Sequence, residues 1–348
     1  MNERHFSSFE RWPDAVFYAP IVVYWLWLAL RYRSTMLLTA ADPGIEYGGF
    51  VGESKIEAFA LLGAKGEHMI APYISVMAAD DSFAEARQAL EAASLAYPIV
   101  AKPDYGKNGT GVKILHDDAG LAEYLATFPK GQRVILQKYI EEEGEAGIFY
   151  IRHPGEPSGR IASITLKYFP RVTGDGVQTL RALILADPRA RQIKEMYFRR
   201  HPKRLDTVIP AGESVRLISV GNHCKGAIFK NGIRHATSVL AKTIDEVAKE
   251  IPEYYFGRFD VRFSDTRALE RGEFTIIEYN GAGSEMTHIW DADEKLFNAY
   301  RALFGQYREA FEIGNANRAR GFKPASLLTI GKVWLDERKL LAASTHEE

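Results

Sequence analysis

The sequence predicts a mixed α+β fold built on antiparallel sheets, and three observations predict it. Short apolar runs of strand length alternate with stretches whose apolar residues return every three to four positions, as on one buried helix face. The last two strand-like runs, 257–263 and 274–280, are separated only by a polar linker at 264–272, so they can pair as a hairpin. At 348 residues the chain exceeds the usual single-core size, so two or three lobes sharing one cleft are expected.

Residues 1–50 read as a separate N-terminal element, closed by the turn-rich Asp42-Pro43-Gly44 and Gly48-Gly49. Within it, residues 15–30 are uncharged and end in Arg31-Tyr32-Arg33. As a helix this run is roughly 24 Å long, short of the ~30 Å hydrocarbon core of a bilayer, and Pro20 interrupts it. A full span therefore fits poorly. Tyr18, Tyr24, Trp25 and Trp27 beside two arginines suit a membrane interface, so peripheral contact through residues 15–33 is one expectation. A buried helix packed on the rest of the chain is the other.

A helix is expected at 54–62 and a strand at 69–76. Ser82 with Glu85 suggests a capping box before the stripe Phe83, Ala86, Leu90, Ala93. Ile99-Val100-Ala101 is a compact strand, followed by a glycine loop and a second strand at 112–115. Leu121, Tyr124, Leu125 and Phe128 repeat the helical spacing behind Asp117-Asp118. Strands follow at 133–139, 148–152 and 161–169, then a turn at 173–176, a helix through Leu180 and Ile184, and a basic stretch at 189–204. Asn231-Gly232 is a hairpin signal, and Leu240, Ile244, Val247 and Ile251 mark an amphipathic helix.

Composition narrows the function. Apolar and charged fractions of 46% and 26% suit a folded protein, and 45 acidic against 44 basic residues leave no field that would favour nucleic acid. The one cysteine, Cys224, forbids an internal disulfide and a cysteine-based metal cluster. A basic leader with a small-residue cleavage site is missing, and a reducing, cytoplasmic setting is expected, with membrane association on that face if residues 15–33 lie at an interface.

Three stretches carry chemistry. In Arg258-Phe259-Asp260-Val261-Arg262-Phe263 side chains alternate, so Asp260 shares a face with Arg258 and Arg262. Glu278 and Asn280 project together from the next strand, and pairing the two gathers two carboxylates and an amide. Hard oxygen ligands of this kind suit magnesium held with phosphates; a solvated sheet face would show the same pattern. Lys102 ends an apolar strand before Gly106, Gly109 and Gly111, whose loop lets N–H groups approach phosphate; it is neither a Walker A loop nor a dinucleotide fingerprint. Gln137, Lys138 and Ile140 end a strand ahead of the acidic 141–145, where backbone amides could meet a base edge and a carboxylate a ribose.

The ordered set resembles the ATP-grasp superfamily over residues 55–285, with the D-alanine–D-alanine ligases, cyanophycin synthetases and glutathione synthetases nearest in flavour. That resemblance implies two lobes whose antiparallel sheets clamp ATP: residues 51–140 with the glycine loop, and 141–315 with the metal site. Residues 1–50 stand before them, and 316–348 follow as a tail. Carried over by position, Lys102 and Lys55 contact phosphates, and Gly106, Gly109 and Gly111 belong to the closing loop. Gln137, Lys138 and Ile140 hold adenine, and Glu145 the ribose. Lys167 meets the terminal phosphate, Arg258 lies beside the reacting group, and Asp260, Glu278 and Asn280 hold Mg2+, with Mn2+ as a substitute. The implied activity is ADP-forming carboxylate–amine (or carboxylate–thiol) ligation through an acyl phosphate, acting on small molecules. A phosphotransferase or a non-catalytic ATP-binding protein on the same fold is the alternative. The ninety-residue N-terminal domain of the D-alanine ligases has no counterpart, and Gly281-Ala282-Gly283-Ser284-Glu285 replaces a proline-containing turn. Glu285, His288, Asp291 and Asp293 are candidates for an acceptor pocket or for ordinary surface and capping roles.

Overall fold

A computed structural model of the chain describes residues 6–106, 109–218, 221–223 and 226–344, the last four of these by backbone alone. Lys107 and Asn108 of the glycine loop and Cys224-Lys225 lie outside the described residues. The fold is α+β with three antiparallel sheets. The first runs β1 (Tyr73–Met77), β4 (Arg133–Lys138), β2 (Ile99–Pro103), β3 (Lys113–Leu115). The second runs β11 (Thr275–Asn280), β10 (Phe256–Phe263), β5 (Gly144–Ile151), β6 (Arg160–Tyr168), β9 (Ile228–Asn231). A two-stranded sheet pairs β7 (Arg171–Thr173) with β8 (Ser214–Arg216).

Two short helices, α1 (Asp14–Phe17) and α2 (Ala19–Arg31), open the chain, followed by α3 (Lys55–Ala60) and α4 (Ala64–Met69). The first sheet is backed by α5 (Ser82–Ala92) and α6 (Asp118–Thr127), which bury Leu90, Leu121 and Leu125 against Val76, Ile99 and Leu136. Asp117 caps α6 by accepting from Gly120 N at 2.8 Å. At α5 the expected capping box does not form: Asp81 precedes the helix and Ser82 Oγ donates to Ala79 O. Further along, α7 (Leu180–Ala186) and α8 (Lys194–Arg200) pack on the small sheet around Ile184, Tyr197 and Val215.

One face of the five-stranded sheet is covered by α3 and by α9 (Ser238–Glu250), which sets Leu240, Ile244 and Val247 against Ile148, Phe259 and Val261. Thr237 starts α9 by accepting from Leu240 N at 3.1 Å. Asn231-Gly232 leads into a short 3₁₀ turn rather than a hairpin, because β9 has β6 as its partner. Between β10 and β11 the polar linker folds as α10 (Thr266–Glu270), capped by Asp265. The segment expected to begin a strand at residue 69 is instead the end of α4.

Leu28, Ala29, Leu37, Leu38 and Ala41 pack against the other face of that sheet, together with α11 (Leu296–Ala319), while α12 (Leu327–Ser344) buries Ile330 against Met36 and Val51. This corrects the expected membrane contact of residues 15–33 and the membrane-associated location that went with it. Pro20 does not interrupt a long helix; it sits in the first turn of α2, where a missing N–H costs nothing. No helix among the described residues is long and apolar enough to cross a membrane. Two of the rings expected at an interface meet protein instead, Tyr24 lying 4.8 Å from Phe304 and Trp25 meeting Phe311 edge-on, while Trp27 stays exposed and stacks on Tyr24 of its own helix. Val22, Val23, Leu26 and Leu30 remain on the outer side of α2.

Candidate active site

Both larger sheets line one cleft of about 780 Å³, within the range of ordinary ligand sites. On the five-stranded sheet, residues two apart along β10 place Arg258, Asp260 and Arg262 on the cleft side, and neighbouring strands bring Glu145, Lys167, Glu278 and Asn280 beside them. Asp260 stands opposite Glu278, as the hairpin reading requires. A bulge follows at Ile277, so the ladder resumes with Val261 opposite Ile276. That bulge lets Ile276 sit in the core while Glu278 faces the cleft.

The cleft-side charges are largely paired. Arg258 holds Asp260 with Nε and Nη2 at 3.1 and 3.0 Å, and Lys167 Nζ donates to the same carboxylate at 2.8 Å. Burial alone would push the Asp260 carboxyl up; Arg258 and Lys167 outweigh it and hold the group down at about 2. Burial likewise works against the Lys167 ion, but Asp260 and Glu145 raise its pKa above the ordinary lysine value. Glu145 is not in a loop: it lies in β5, between Lys167 at 3.1 Å and Arg262 at 2.9 Å. Gly147 makes room for this row, since a Cβ there would come within 2.9 Å of Arg258 Cδ. Gly221 closes it from above, where a Cβ would stand 2.1 Å from Glu145 Oε1.

Across the cleft, Lys102 at the end of β2 is buried and donates to Gln137 Oε1 at 2.8 Å and to the bulged Ile277 carbonyl at 3.1 Å. Desolvation lowers its pKa to about 8, with Glu278 partly opposing and Lys55 adding to the effect. Lys55 donates to Gly106 O at 2.8 Å and lies 3.8 Å from Glu278, tying the glycine loop to β11. Gly106 and Gly109 line the cleft; Gly111 does not, but packs on Pro103, its carbonyl accepting from Tyr124 OH.

Gln137, Lys138 and Ile140 also line the cleft, with different capacities left. The Gln137 amide is used by Lys102 and Ala71 O, and Lys138 N donates to Pro72 O. Ile140 N makes no hydrogen bond among the described residues.

The far end of the cleft is walled by residues that no local motif announces. Phe6, Glu10, Arg11, Asp14 and Tyr18 come from the N-terminus. Glu10 accepts from Arg189 and contacts His223, each at 2.8 Å; burial pushes its pKa up, and these two contacts outweigh burial and lower it. Tyr18 OH and Trp290 Nε1 donate to Glu285 at 2.8 and 3.1 Å. Of the other acceptor candidates, Asp291 accepts from Asn231 N and Lys230 and Asp293 pairs with Lys230, which are capping and pairing roles, while His288 is partly buried and its Nδ1 has no hydrogen-bond partner among the described residues.

No family model matches the sequence, and no curated protein matches it. Solved structures do. One is a D-alanine–D-alanine ligase from Bacillus anthracis, at 16% identity and a TM-score of 0.42, covering 77% of this chain and 69% of that one. Another is D-cycloserine synthetase DcsG, at 16% identity and 0.40, covering 76% and 70%. A bifunctional glutathione synthetase from Pasteurella multocida matches at 16% and 0.37 over 72% of this chain, which spans only 36% of that enzyme. The chain is thus similar to each of these three enzymes over roughly three quarters of its own length.

Proposed function

We propose that the chain is an ADP-forming ligase that activates a small-molecule carboxylate with ATP and passes it to an amine or a similar nucleophile. One observation carries this reading: the buried cations Lys102 and Lys167 and the partly buried Arg258 meet Asp260, Glu278 and Asn280 in a single cleft reached from two sheets. Ion pairs serving stability alone have no need of a cavity. Fixed cations around a cavity suit a ligand that brings several negative charges, as a triphosphate does.

The donor set fits magnesium. Asp260, Glu278 and Asn280 offer hard oxygens; Glu278 has only the distant Lys55, and the Asn280 side chain makes no hydrogen bond among the described residues. Those three would hold the ion, or manganese in its place, which when bound neutralises charge on the phosphates. Lys55 and Lys102 then hold phosphate oxygens, Gly106 and Gly109 close over them, and the Ile140 N–H receives the base. Glu145 is already shared by two cations and can take ribose hydroxyls only with its remaining lone pairs.

In the reaction a substrate carboxylate oxygen attacks the terminal phosphorus, and the bond to the bridging oxygen breaks, releasing ADP. The nucleophile then attacks the acyl carbon, the C–O bond to phosphate breaks, and the departing phosphate takes up the proton that the nucleophile gives up. Arg258 and Lys167 offset the charge that gathers on the transferring group. The test is ADP release with magnesium and a panel of carboxylates, using hydroxylamine as the nucleophile. A hydroxamate that follows ADP and vanishes in Lys102→Ala is expected. ADP accompanied by a stable phosphate ester would make the chain a phosphotransferase, and no turnover with any carboxylate would leave ATP binding alone.

A further inference from the structure

Asp104 joins the glycine loop of the four-stranded sheet to a helix rooted in the five-stranded one. It follows directly on β2, and its carboxylate is buried. Ser54 Oγ donates to it, 2.9 Å from each oxygen, and Ile56 N donates at 3.0 Å. Ser54 Oγ in turn accepts from Glu57 N at 3.2 Å, so the first turn of α3 is built onto this carboxylate. The rest of α3 is anchored elsewhere: Ala58 and Phe59 pack in the core under the five-stranded sheet, and Ala58 O accepts from Tyr279 OH. Arg133, 4.0 Å away, partly offsets the charge, and Asp104 itself does not line the cleft.

Lys55 is the residue that this link controls. Its backbone N–H reaches Asp104 O at 3.4 Å, and its Nζ donates to Asp104 O at 3.3 Å and to Gly106 O at 2.8 Å. An ammonium has three donors, so one remains after the two loop carbonyls, on a group that stands 3.8 Å from Glu278 of β11. A lysine side chain left to rotate would lose that freedom only when a ligand arrives, which weakens binding. Here the side chain is ordered beforehand.

We propose that Asp104 is a positioning residue: by joining α3 to the root of the glycine loop, it holds the Lys55 ammonium where the nucleotide phosphates arrive, a placement that rests on the nucleotide half of the ligase reading. With the link broken, Lys55 hangs between a loop and a helix that no longer move together, and its remaining donor is no longer aimed. The loss falls on phosphate binding, because the base belongs to residues 137–140 at another part of the cleft.

The test is a double-mutant cycle on the full chain, with the affinities of ATP and adenosine read by calorimetry in magnesium. Asp104→Ala should weaken ATP binding by about tenfold on its own and have no effect in a Lys55→Ala chain, while adenosine binds alike in all four proteins. Asp104→Asn keeps an acceptor for Ile56 N and a group that can pair with Ser54, so it should retain most of the affinity. Ser54→Ala, a milder break, should weaken ATP by about threefold, again only where Lys55 is present. An equal loss with and without Lys55 means that Asp104 serves the fold alone and overturns the proposal. Unchanged ATP affinity in Asp104→Ala, or a parallel loss for adenosine, does the same. Should Asp104→Ala not fold, the Ser54→Ala cycle decides by the same criterion. Products test the ligase reading separately: ADP without hydroxamate defeats that reading and leaves the affinity pattern standing, whereas a chain that binds no ATP defeats both.

Discussion

One face of the five-stranded sheet carries two regions of opposite character within a few residues. At one end Phe149, Ile151 and Phe256 are fully buried against Leu28, Leu37 and Phe311. At the other, the same strands present Glu145, Gly147, Arg258, Asp260 and Arg262 to the cleft. The first region gains free energy from every ring it removes from water. The second holds ions out of water, where desolvation offsets most of their mutual attraction. The apolar end thus supplies the stability that lets the charged end exist.

Asp260→Asn should break that comparison most sharply on the chemical side. ADP release should fall by about a thousandfold, measured in a coupled assay, because the variant loses a carboxylate of the proposed magnesium site and leaves two cations undercompensated. Phe256→Ala tests the other end. It should lower stability by about 3–5 kcal/mol in urea while leaving the nucleotide affinity of the folded fraction unchanged.

A third expectation follows from Lys102. Its folded pKa, about 8, lies below the ordinary lysine value, so the ammonium is lost as pH rises through 8. Phosphate contact needs the charge, so nucleotide affinity should fall by up to about tenfold per pH unit above 8, and binding at pH 9 should take up a proton. The stability of the free chain should move the other way, rising with pH between 8 and the ordinary lysine value, because there the unfolded chain binds more protons. In Lys102→Ala both trends should be absent. The smallest effect is expected from Trp25→Ser, which loses ring contact with Phe311 and should cost about 1–2 kcal/mol, read as a lower Tm.

How much of this was legible depended on the range of the signal. The β10–β11 pair, with Asp260 and Glu278 opposite each other, could be read because alternation along a strand is local and a short linker fixes the partner. Lys102 at a strand end was legible for the same reason. Glu145 falls between the strands expected at 133–139 and 148–152, because five residues rich in acid read as solvated; Lys167 and Arg262, far along the chain, are what allow it into a strand. The aromatic run at 15–33 has a composition that suits either lipid or protein, and only the positions of Phe304 and Phe311 decide between them. Glu10 with Arg189 and His223, and Tyr18 with Glu285, are separated by 179, 213 and 267 residues, and no spacing rule reaches that far.

The extra residue at Ile277 divides β11 into two reading frames. Toward its start the strand is in phase with the core, and from Glu278 onward it is in phase with the cleft. Removing one residue at this joint leaves both phases intact and sacrifices only the carbonyl that receives Lys102. Because Ile276 and Ile277 are identical, deleting either gives the same chain. Deleting Tyr279 instead turns one part of the strand over, carrying a polar side chain toward the core or an apolar one toward the cleft. The first deletion should therefore fold with weakened nucleotide binding and the second should not fold, so a one-residue change in length is tolerated at a single point of this strand.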